Sequence, residues 1–365
     1  MKIVIDKDIP FVKGVFEPYA EVIYSKGAEI DNKMVLDADV LIIRTRTKCN
    51  EQLLKGSSVK IIASATIGKD HVDIEYCNQN NIKFVNAAGC NAMGVVQYVF
   101  TALYGCAVQN RNIINLNSHY KPVNDRVKLG VIGVGNVGSK VAQMGEYLGF
   151  DVLRNDPIKE REQTLAFNRG EIHYTEIKDY YSLDYLLENS DIITIHVYLD
   201  SVTNKMANSQ FFSKIKDGAV FVNTSRGEVV DEQALLENIN KFSCTIIDVW
   251  NNEPDISSEL LNTAVITTPH IAGYSLEGKI NGTQMVIRDV AQFFNIEELK
   301  NYNIPDILPN TNSLNLQNLE QEQIAKQLLE IFPIFEDSKR LKDGPENFEQ
   351  LRNNYKYRRE FYVNR

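Results

Sequence analysis

Short apolar runs alternate with polar or amphipathic stretches from residue 1 to about residue 90. These runs are rich in Val and Ile, which favour strands, and they read KIVID, EVIYS, VLIIRT, KIIASAT and KFVNA. The stretches between them are long enough to hold helical crossovers. The pattern therefore predicts a parallel α/β sheet.

A second alternating region follows a helix-like run that begins near Ala92, AMGVVQYVFTALYGCAV, and a polar interval. Its strand candidates are KLGVIG, FDVLRND, DIITIHV, AVFVNTS, CTIIDVW and AVITTPH. This block has the pattern of a doubly wound unit of its own. After His270, the segment EGKINGTQMVIRDVAQFF predicts one amphipathic helix.

The carboxy-terminal tail has a different pattern. The stretch NYNIPDILPNTNSLNLQN is rich in Asn and Pro and predicts a linker or an irregular arm. The segment EQEQIAKQLLEIF predicts a short helix, and FEQLRNNYKYRREFYV predicts a basic, aromatic helix.

Length, charge and cysteine usage narrow the class of protein. A chain of 365 residues favours two or three domains, and its net charge of −9 argues against a nucleic-acid or anionic-membrane partner. The amino-terminal stretch does not have the pattern of a signal peptide, and no run approaches the roughly 18 apolar residues of a membrane span. The five cysteines are scattered without a C-x-x-C pair, which predicts reduced thiols, a cytoplasmic protein and no zinc site.

A glycine-rich segment, KLGVIGVGNVGSKVAQMGEYLG, holds Gly133, Gly135 and Gly138 in G-x-G-x-x-G spacing. The first glycine permits a tight turn, the second lets the backbone approach a pyrophosphate, and the third lets helix and strand pack closely. The helix that opens at Asn136 and Val137 offers free N–H groups and its positive end to phosphates. The segment predicts a dinucleotide site, and a glycine-rich turn without a ligand is the alternative.

The next strand candidate ends in Asp156, about twenty residues further on. A carboxylate at this place accepts hydrogen bonds from ribose hydroxyls and repels a 2′-phosphate. The sequence therefore predicts NAD over NADP as cofactor, although Arg154 nearby slightly weakens that preference.

Three consecutive strand candidates are each followed by a residue with acid–base or anion-binding chemistry. Arg226 follows AVFVN, Asp248 and Glu253 follow CTII, and His270 follows AVITTP. A guanidinium can hold a substrate carboxylate, an imidazole can take a hydroxyl proton, and a carboxylate can orient the imidazole. Together they predict hydride transfer at a hydroxyl-bearing carbon. Singly they have structural alternatives: a surface ion pair, a turn residue and a loop cap.

The segments GVIGVGNVG, NTSRGEVVDEQALL, DVWNNEP and TTPHIAG resemble, in order and spacing, the signatures of the D-isomer-specific 2-hydroxyacid dehydrogenases. The resemblance implies that Arg226, Glu253 and His270 are the catalytic residues and that Asp156 binds the NAD ribose. It also implies a flavodoxin-like substrate domain and a Rossmann NAD domain.

Within this family, ATIGKDHVD, GCNAMGVVQYVF, HIAGYSLEGKINGT and LRNNYKYRREF resemble a subgroup that oxidises a phosphorylated 2-hydroxy acid in vitamin B6 biosynthesis. This resemblance implies substrate contacts at Thr45, Thr66 and Tyr274, and cofactor contacts at Asp248 and Gly273. Val197 stands where this subgroup has a threonine that contacts the cofactor, and Tyr198 replaces a family proline. We expect a local change in that loop without loss of cofactor binding.

The family also implies a division into domains. The expected parts are a substrate domain over 1–94 and 275–293, an NAD domain over 95–274, and a carboxy-terminal dimerisation domain over 294–365. The tail is shorter than in the subgroup, so we expect a smaller third domain and a homodimer.

A phosphorylated substrate needs cations. Arg44 and Arg46 end the segment VLIIRTR, and period-two alternation would place both on one face of an extended segment. We propose them for the phosphate pocket, with plain surface charges as the alternative. Arg358 and Arg359 are weaker candidates across a dimer interface.

Two other functions stay open on the sequence alone. One is another reaction of the same family, on 3-phosphoglycerate or an unphosphorylated acid. The other is an NADH-sensing regulator on the same fold, because fold does not fix function.

Overall fold

The computed structural model describes residues 1–109, 115–117, 121–122, 125–305 and 307–363. The predicted polar interval between the two alternating regions lies largely outside these residues, as does His119. The described chain forms two compact units: residues 1–91 with 275–310, and residues 92–274 with 311–365.

The first unit is built on a five-stranded parallel sheet in the order β2-β1-β3-β4-β5. Its strands are β1 (Lys2–Asp6), β2 (Glu21–Ser25), β3 (Val40–Ile43), β4 (Ile61–Ser64) and β5 (Lys83–Asn86). Its helices are α1 (Asn32–Val35), α2 (Glu51–Leu54), α3 (Ile74–Gln79) and α11 (Leu276–Phe294). All five predicted strands and the helix after His270 are confirmed, and the strand order is the flavodoxin-like one.

Both faces of this sheet are covered, which explains why its middle strand, β3, is apolar throughout. Ile3 and Ile5 point into a cluster that includes Val286 and Ile287 of α11. Val4, between them, points into the opposite cluster with Leu41 and other residues. The period-two alternation of side chains thus supplies two cores from one strand.

The second unit contains a six-stranded parallel sheet in the order β11-β10-β9-β8-β6-β7. Its strands are β6 (Lys128–Ile132), β7 (Asp151–Asn155), β8 (Ile192–Ile195), β9 (Val220–Asn223), β10 (Cys244–Ile247) and β11 (Ile266–Thr267). The helices between and before them are α4 (Ala92–Gln109), α5 (Asn136–Tyr147), α6 (Pro157–Asn168), α7 (Leu183–Asn189), α8 (Ser209–Lys214), α9 (Glu232–Asn238) and α10 (Ser258–Thr263). The strand order reverses at β6, where a doubly wound sheet forms its ligand crevice.

The tail packs into the second unit. Its elements are β12 (Ser313–Leu314), α12 (Gln321–Ile331), α13 (Ile334–Asp343), α14 (Phe348–Asn353) and β13 (Tyr362–Val363). Ile324 and Leu328 of α12 share a core with Tyr98 and Leu103 of α4. The structure thus places residues 311–365 in the second unit, whereas the sequence predicted a separate carboxy-terminal domain over 294–365. Residues 294–310 pack with the first unit instead.

Two expectations about helices were wrong. The predicted helix over 348–363 ends at Asn353, and burial then alternates with a period of two from Tyr357 to Glu360, as in an extended chain. The sequence showed no run apolar enough for a membrane span, yet α4 is long and apolar enough by composition, and 83% of it is buried. Its burial against α5 and α12 is that of a core helix.

Candidate active site

The glycine-rich loop connects β6 to α5 and needs glycine for steric reasons. Gly133 has a positive φ of 83°, and a Cβ there would lie 2.8 Å from the carbonyl carbon of His196. A Cβ on Gly138 would overlap the carbonyl oxygen of Gly133. A Cβ on Gly135 would meet no atom within 4 Å, so the loop leaves open space at the first turn of α5.

Asp156 joins this loop to the end of β7. Its carboxylate accepts hydrogen bonds from the backbone N–H of Val134 at 2.8 Å and from that of Lys159 at 3.0 Å. The first bond fixes the loop, and the second caps α6. Arg154, which weakened the preference for NAD in the sequence, is buried and pairs with Glu146.

The loop after β8 borders the same turn. A Cβ on Gly133 would lie 2.9 Å from Cγ1 of Val197, so the valine packs over the glycine-rich loop. The ring nitrogens of His196 lie 2.9 Å from Oγ1 of Thr194 and 3.5 Å from Oγ1 of Thr224. Burial of the ring lowers the pKa of His196 to about 3, so this imidazole is neutral at physiological pH.

Arg226, Glu253 and His270 follow β9, β10 and β11, which are adjacent and parallel. Their carboxyl ends lie at one edge of the sheet. A Cβ on Gly227 would overlap the backbone carbonyl of Trp250, so the Arg226 loop packs directly against the loop that leads to Glu253. The structure thus gathers the three predicted residues on neighbouring loops.

His270 and Glu253 are in direct contact. The Nδ1 atom of His270 lies 2.8 Å from Oε2 and 3.0 Å from Oε1 of Glu253, and the N–H of Trp250 donates to Oε1 at 3.1 Å. Burial raises the pKa of Glu253, but the charge and hydrogen bond of His270 and the charge of Arg352 outweigh it and lower the pKa overall. A buried, ionised carboxylate therefore orients the imidazole.

The backbone at His270 is in the left-handed region, with φ of 56°. Its N–H donates to the carbonyl of Asp248 at 2.8 Å, which helps to hold this conformation. The Asp248 carboxylate, 1% exposed, accepts from the hydroxyl of Thr268 and from the N–H groups of Ile271 and Ala272. Burial raises its pKa. Asp248 therefore shapes the loop on both sides of His270, and its predicted cofactor contact stays a prediction.

Hydrogen bonds within its own loop hold Arg226 and the backbone on either side of it. Its guanidinium NH1 donates to the carbonyl of Ser225 at 2.7 Å. The carbonyl of Arg226 accepts from Nδ2 of Asn223 at 3.0 Å, and Asn223 also accepts from the N–H and the hydroxyl of Ser225. These bonds fix the backbone that carries the guanidinium.

Comparisons with known proteins agree with this geometry. The family model described as "D-isomer specific 2-hydroxyacid dehydrogenase, NAD binding domain" matches residues 106–272. The chain is 43% identical to erythronate-4-phosphate dehydrogenase from Bacteroides thetaiotaomicron, over 99% of this chain and 97% of that protein. The chain belongs to the D-isomer specific 2-hydroxyacid dehydrogenase family.

Two further likenesses support this placement. Erythronate-4-phosphate dehydrogenase from Bacteroides fragilis is 42% identical, again over 99% of this chain and 97% of that protein. A crystal structure of NAD+-bound 3-phosphoglycerate dehydrogenase from Entamoeba histolytica matches with a TM-score of 0.63 and 26% identity, over 84% of this chain and 99% of that one. The predicted enzyme class, an NAD-dependent 2-hydroxyacid dehydrogenase, and the predicted cofactor, NAD, are confirmed.

For a member of this family, the residues of the glycine-rich loop fit the cofactor. Gly135 leaves space for a pyrophosphate, the first turn of α5 at Asn136 and Val137 offers N–H groups, and Asp156 lies beside the loop. Gly273, also predicted to contact the cofactor, is half-buried in the loop after Ala272.

The sequence analysis missed Arg352 of α14. Its Nε donates to the hydroxyl of Tyr274 at 3.1 Å, and its NH1 lies 3.4 Å from Oε2 of Glu253. The basic, aromatic composition of the tail was visible in the sequence, but only the fold shows which of its arginines reaches Glu253.

Arg358 was considered above as a phosphate ligand across a dimer interface. The residue is 7% exposed, its guanidinium stacks on Phe332, and it donates to the backbone carbonyls of Gly94, Ile271 and Tyr274. A guanidinium whose N–H groups bind these buried carbonyls is not available to a phosphate, so the hypothesis is wrong for Arg358 and stays untested for Arg359.

The substrate candidates of the first unit follow β3 and β4. Thr45 is exposed, and the hydroxyl of Thr66 lies 2.8 Å from that of Ser64. The segment after Ile43 is a turn, not the extended segment predicted, because the N–H of Thr47 bonds back to the carbonyl of Arg44. The argument from alternation for Arg44 and Arg46 therefore fails.

Arg44 is also engaged by carboxylates. Its Nε lies 2.9 Å from Oδ2 of the fully buried Asp6, and its NH2 lies 3.0 Å from Oδ2 of Asp8. Arg46 is exposed. Of the two arginines, Arg44 is therefore the one that pairs with the buried Asp6.

Proposed function

We propose that the protein oxidises 4-phospho-D-erythronate to 2-oxo-3-hydroxy-4-phosphobutanoate with NAD, as a step of vitamin B6 biosynthesis. The contact between His270 and Glu253, at the carboxyl ends of strands in a family NAD-binding domain, supports the chemistry. The name shared by the 42–43% identical relatives supports the substrate. The motifs GCNA and AGYSLEGK, which are specific to that subgroup, support the same choice.

The acid–base work falls to His270. Because Nδ1 is engaged with Glu253, Nε2 is the nitrogen that takes the proton from the substrate 2-hydroxyl as its carbon becomes a carbonyl. The ionised Glu253 stabilises the imidazolium that results. When bound, NAD accepts the hydride that leaves the same carbon.

The other residues bind and orient the substrate. Arg226 holds the carboxylate and polarises the adjacent oxygen, since a guanidinium can form two parallel hydrogen bonds with a carboxylate. We assign Thr45, Thr66 and Tyr274 to substrate binding and Arg46 to the phosphate. Arg44 serves chiefly as the partner of Asp6, so its part in the phosphate pocket is secondary.

The oligomeric state and the compartment are parts of the same proposal. We propose a homodimer formed through the carboxy-terminal region, acting in the cytoplasm. Light scattering at micromolar concentration is expected to show twice the mass of 41.5 kDa. A single species at the monomer mass would contradict the dimer and leave the proposed reaction standing.

The reaction is tested with purified protein and NAD, by following NADH absorbance with 4-phospho-D-erythronate and, separately, with 3-phospho-D-glycerate. The reverse reaction, from NADH and each 2-oxo acid, belongs in the same experiment because the equilibrium can favour the hydroxy acid. Selective turnover of the erythronate pair is expected. Turnover of the glycerate pair alone would move the chain to another reaction of its family, and NADH binding without any turnover would favour a sensor.

The pathway is tested in cells. In a bacterial strain that requires pyridoxine because this oxidation is missing, expression of the chain is expected to restore growth, and the variant His270→Ala is not. Failure of the wild-type chain, when it is expressed and folded, would contradict the assignment to vitamin B6 biosynthesis.

A further inference from the structure

We propose that Arg352 is a positioning residue of the active site, which holds the Glu253 carboxylate against His270 and fixes the hydroxyl of Tyr274. This inference rests on the proposed roles of His270 and Tyr274. It goes beyond them because it gives the carboxy-terminal helix a part in the chemistry of the NAD-binding unit.

The first support is the set of contacts around Glu253. Oε1 accepts from the Trp250 N–H at 3.1 Å and lies 3.0 Å from Nδ1 of His270. Oε2 lies 2.8 Å from the same Nδ1 and 3.4 Å from NH1 of Arg352. Among the residues that the structure describes, Arg352 therefore contacts the second oxygen together with the imidazole. Without Arg352, the carboxylate of Glu253 is freer to rotate away from Nδ1 of His270.

The second support is the geometry of the guanidinium. Nε donates to the Tyr274 hydroxyl at 3.1 Å while NH1 faces Glu253, so one rigid fork joins the two residues. The side chain is only 19% exposed. An ammonium group is a compact point charge without this fork, so lysine keeps the charge but not the paired geometry.

The third support is that α14 is anchored beside the catalytic loop. Phe348, at its start, is 1% exposed, and Arg358, just beyond its end, donates to the carbonyls of Ile271 and Tyr274. The rings of Tyr355 and Tyr357 lie edge-to-face on Tyr274, at 6.2 and 6.3 Å between centroids. The helix that carries Arg352 is therefore fixed to the loop it acts on.

The charges near the catalytic pair give the expected direction of a pH effect. Asp248 lies at the end of β10, Arg352 on α14, and Tyr274 in the loop after β11. Burial raises the pKa of Glu253, whereas His270 and Arg352 lower it. Loss of Arg352 removes one lowering cause, so the carboxylate becomes protonated at a higher pH. Activity that needs the carboxylate is then lost sooner as the pH falls.

The test uses the full chain with Arg352→Gln, Arg352→Lys and the control Arg340→Gln. Arg340 is 61% exposed on α13, where it pairs with Glu336 and Asp337. For Arg352→Gln we expect a loss of kcat of roughly 10- to 100-fold and an acid limb of kcat/KM at higher pH. Arg352→Lys should keep the acid limb while kcat falls, and Arg340→Gln should match the wild type.

A second readout needs no substrate. The proton shared between Nδ1 of His270 and Glu253 is expected to give a downfield proton NMR signal, assigned by its absence in His270→Gln. This signal should weaken through exchange in Arg352→Gln and persist in Arg340→Gln. If circular dichroism shows that Arg352→Gln does not fold, the kinetics and the NMR signal of Arg352→Lys test the proposal instead.

Wild-type kinetics and an intact signal in the folded Arg352 variants would overturn the proposal. The same shift of the acid limb in Arg340→Gln would also overturn it, because the effect would then be one of overall charge. If the wild type turns over a different 2-hydroxy acid, the proposed substrate is wrong, and the same profiles measured with that acid still test Arg352.

Discussion

Two sets of candidate residues were predicted because they follow apolar strands. One set is Arg226, Glu253 and His270 in the second unit, and the other is Arg44 and Arg46 in the first unit. In the second unit, His270 contacts Glu253, and this pairing suits acid–base catalysis. In the first unit, Arg44 forms ion pairs with Asp6 and Asp8, which offset its charge. Spacing between strand ends predicts which residues share an edge, but it does not predict whether a charge is already neutralised there.

Of the substitutions that separate these two regions, His270→Ala is expected to have the largest effect. His270→Ala should lose roughly 10²–10⁴-fold in kcat, because acid–base catalysis is removed, while NADH binding persists. Steady-state kinetics and NADH fluorescence measure the two quantities. The control is His173→Ala, which removes an exposed imidazole of the same unit. Comparable kcat in His270→Ala and the wild type would place the acid–base elsewhere.

The glycine-rich loop offers a matched pair of variants. Gly138→Ala should lower the free energy of unfolding by roughly 1–3 kcal/mol, because its Cβ would overlap the carbonyl of Gly133. Gly135→Ala meets no atom within 4 Å and should leave stability unchanged while weakening NADH binding. Urea unfolding and NADH titration separate the two. Equal affinity for NADH in Gly135→Ala and the wild type would argue against a pyrophosphate at this turn.

The two arginines of the first unit should respond differently. Arg44→Met leaves the buried Asp6 without this partner and should lower the free energy of unfolding by about 1–3 kcal/mol. Arg46→Met should raise KM for the phosphorylated acid and leave stability near the wild type. The double variant with Asp6→Asn should recover part of the stability lost in Arg44→Met. An unchanged KM in Arg46→Met would remove that residue from the phosphate pocket.

The smallest effect concerns His196. Its pKa of about 3 in the folded chain lies below the ordinary 6.5, so between these values the unfolded state binds a proton that the folded state does not. Stability should therefore fall as the pH drops below 6.5, by at most about 1.4 kcal/mol per pH unit from this residue. Unfolding of His196→Gln at several pH values should show a shallower dependence. A dependence as steep as that of the wild type would contradict a buried, neutral imidazole.

Local pattern predicted much of this molecule because the two sheets consist of short apolar strands with regular crossovers. All of the strand candidates from KIVID to AVITTPH contain strands in the structure. Glu253 and His270 lie in contact because they follow the adjacent strands β10 and β11. The contact of Arg352 with Glu253 spans 99 residues and depends on how the tail folds back. No periodicity encodes such a contact. The turn after Ile43 was missed because one backbone hydrogen bond ended the strand earlier than its β-branched residues suggested.

A competition assay tests the central claim most directly. The protein and NAD are mixed with equal concentrations of 4-phospho-D-erythronate and 3-phospho-D-glycerate, and the two 2-oxo acids are quantified by mass spectrometry at low conversion. Their ratio is the ratio of kcat/KM values. We predict that 2-oxo-3-hydroxy-4-phosphobutanoate dominates and that His270→Ala forms neither product at a comparable rate. Predominant oxidation of the glycerate would contradict the proposed substrate.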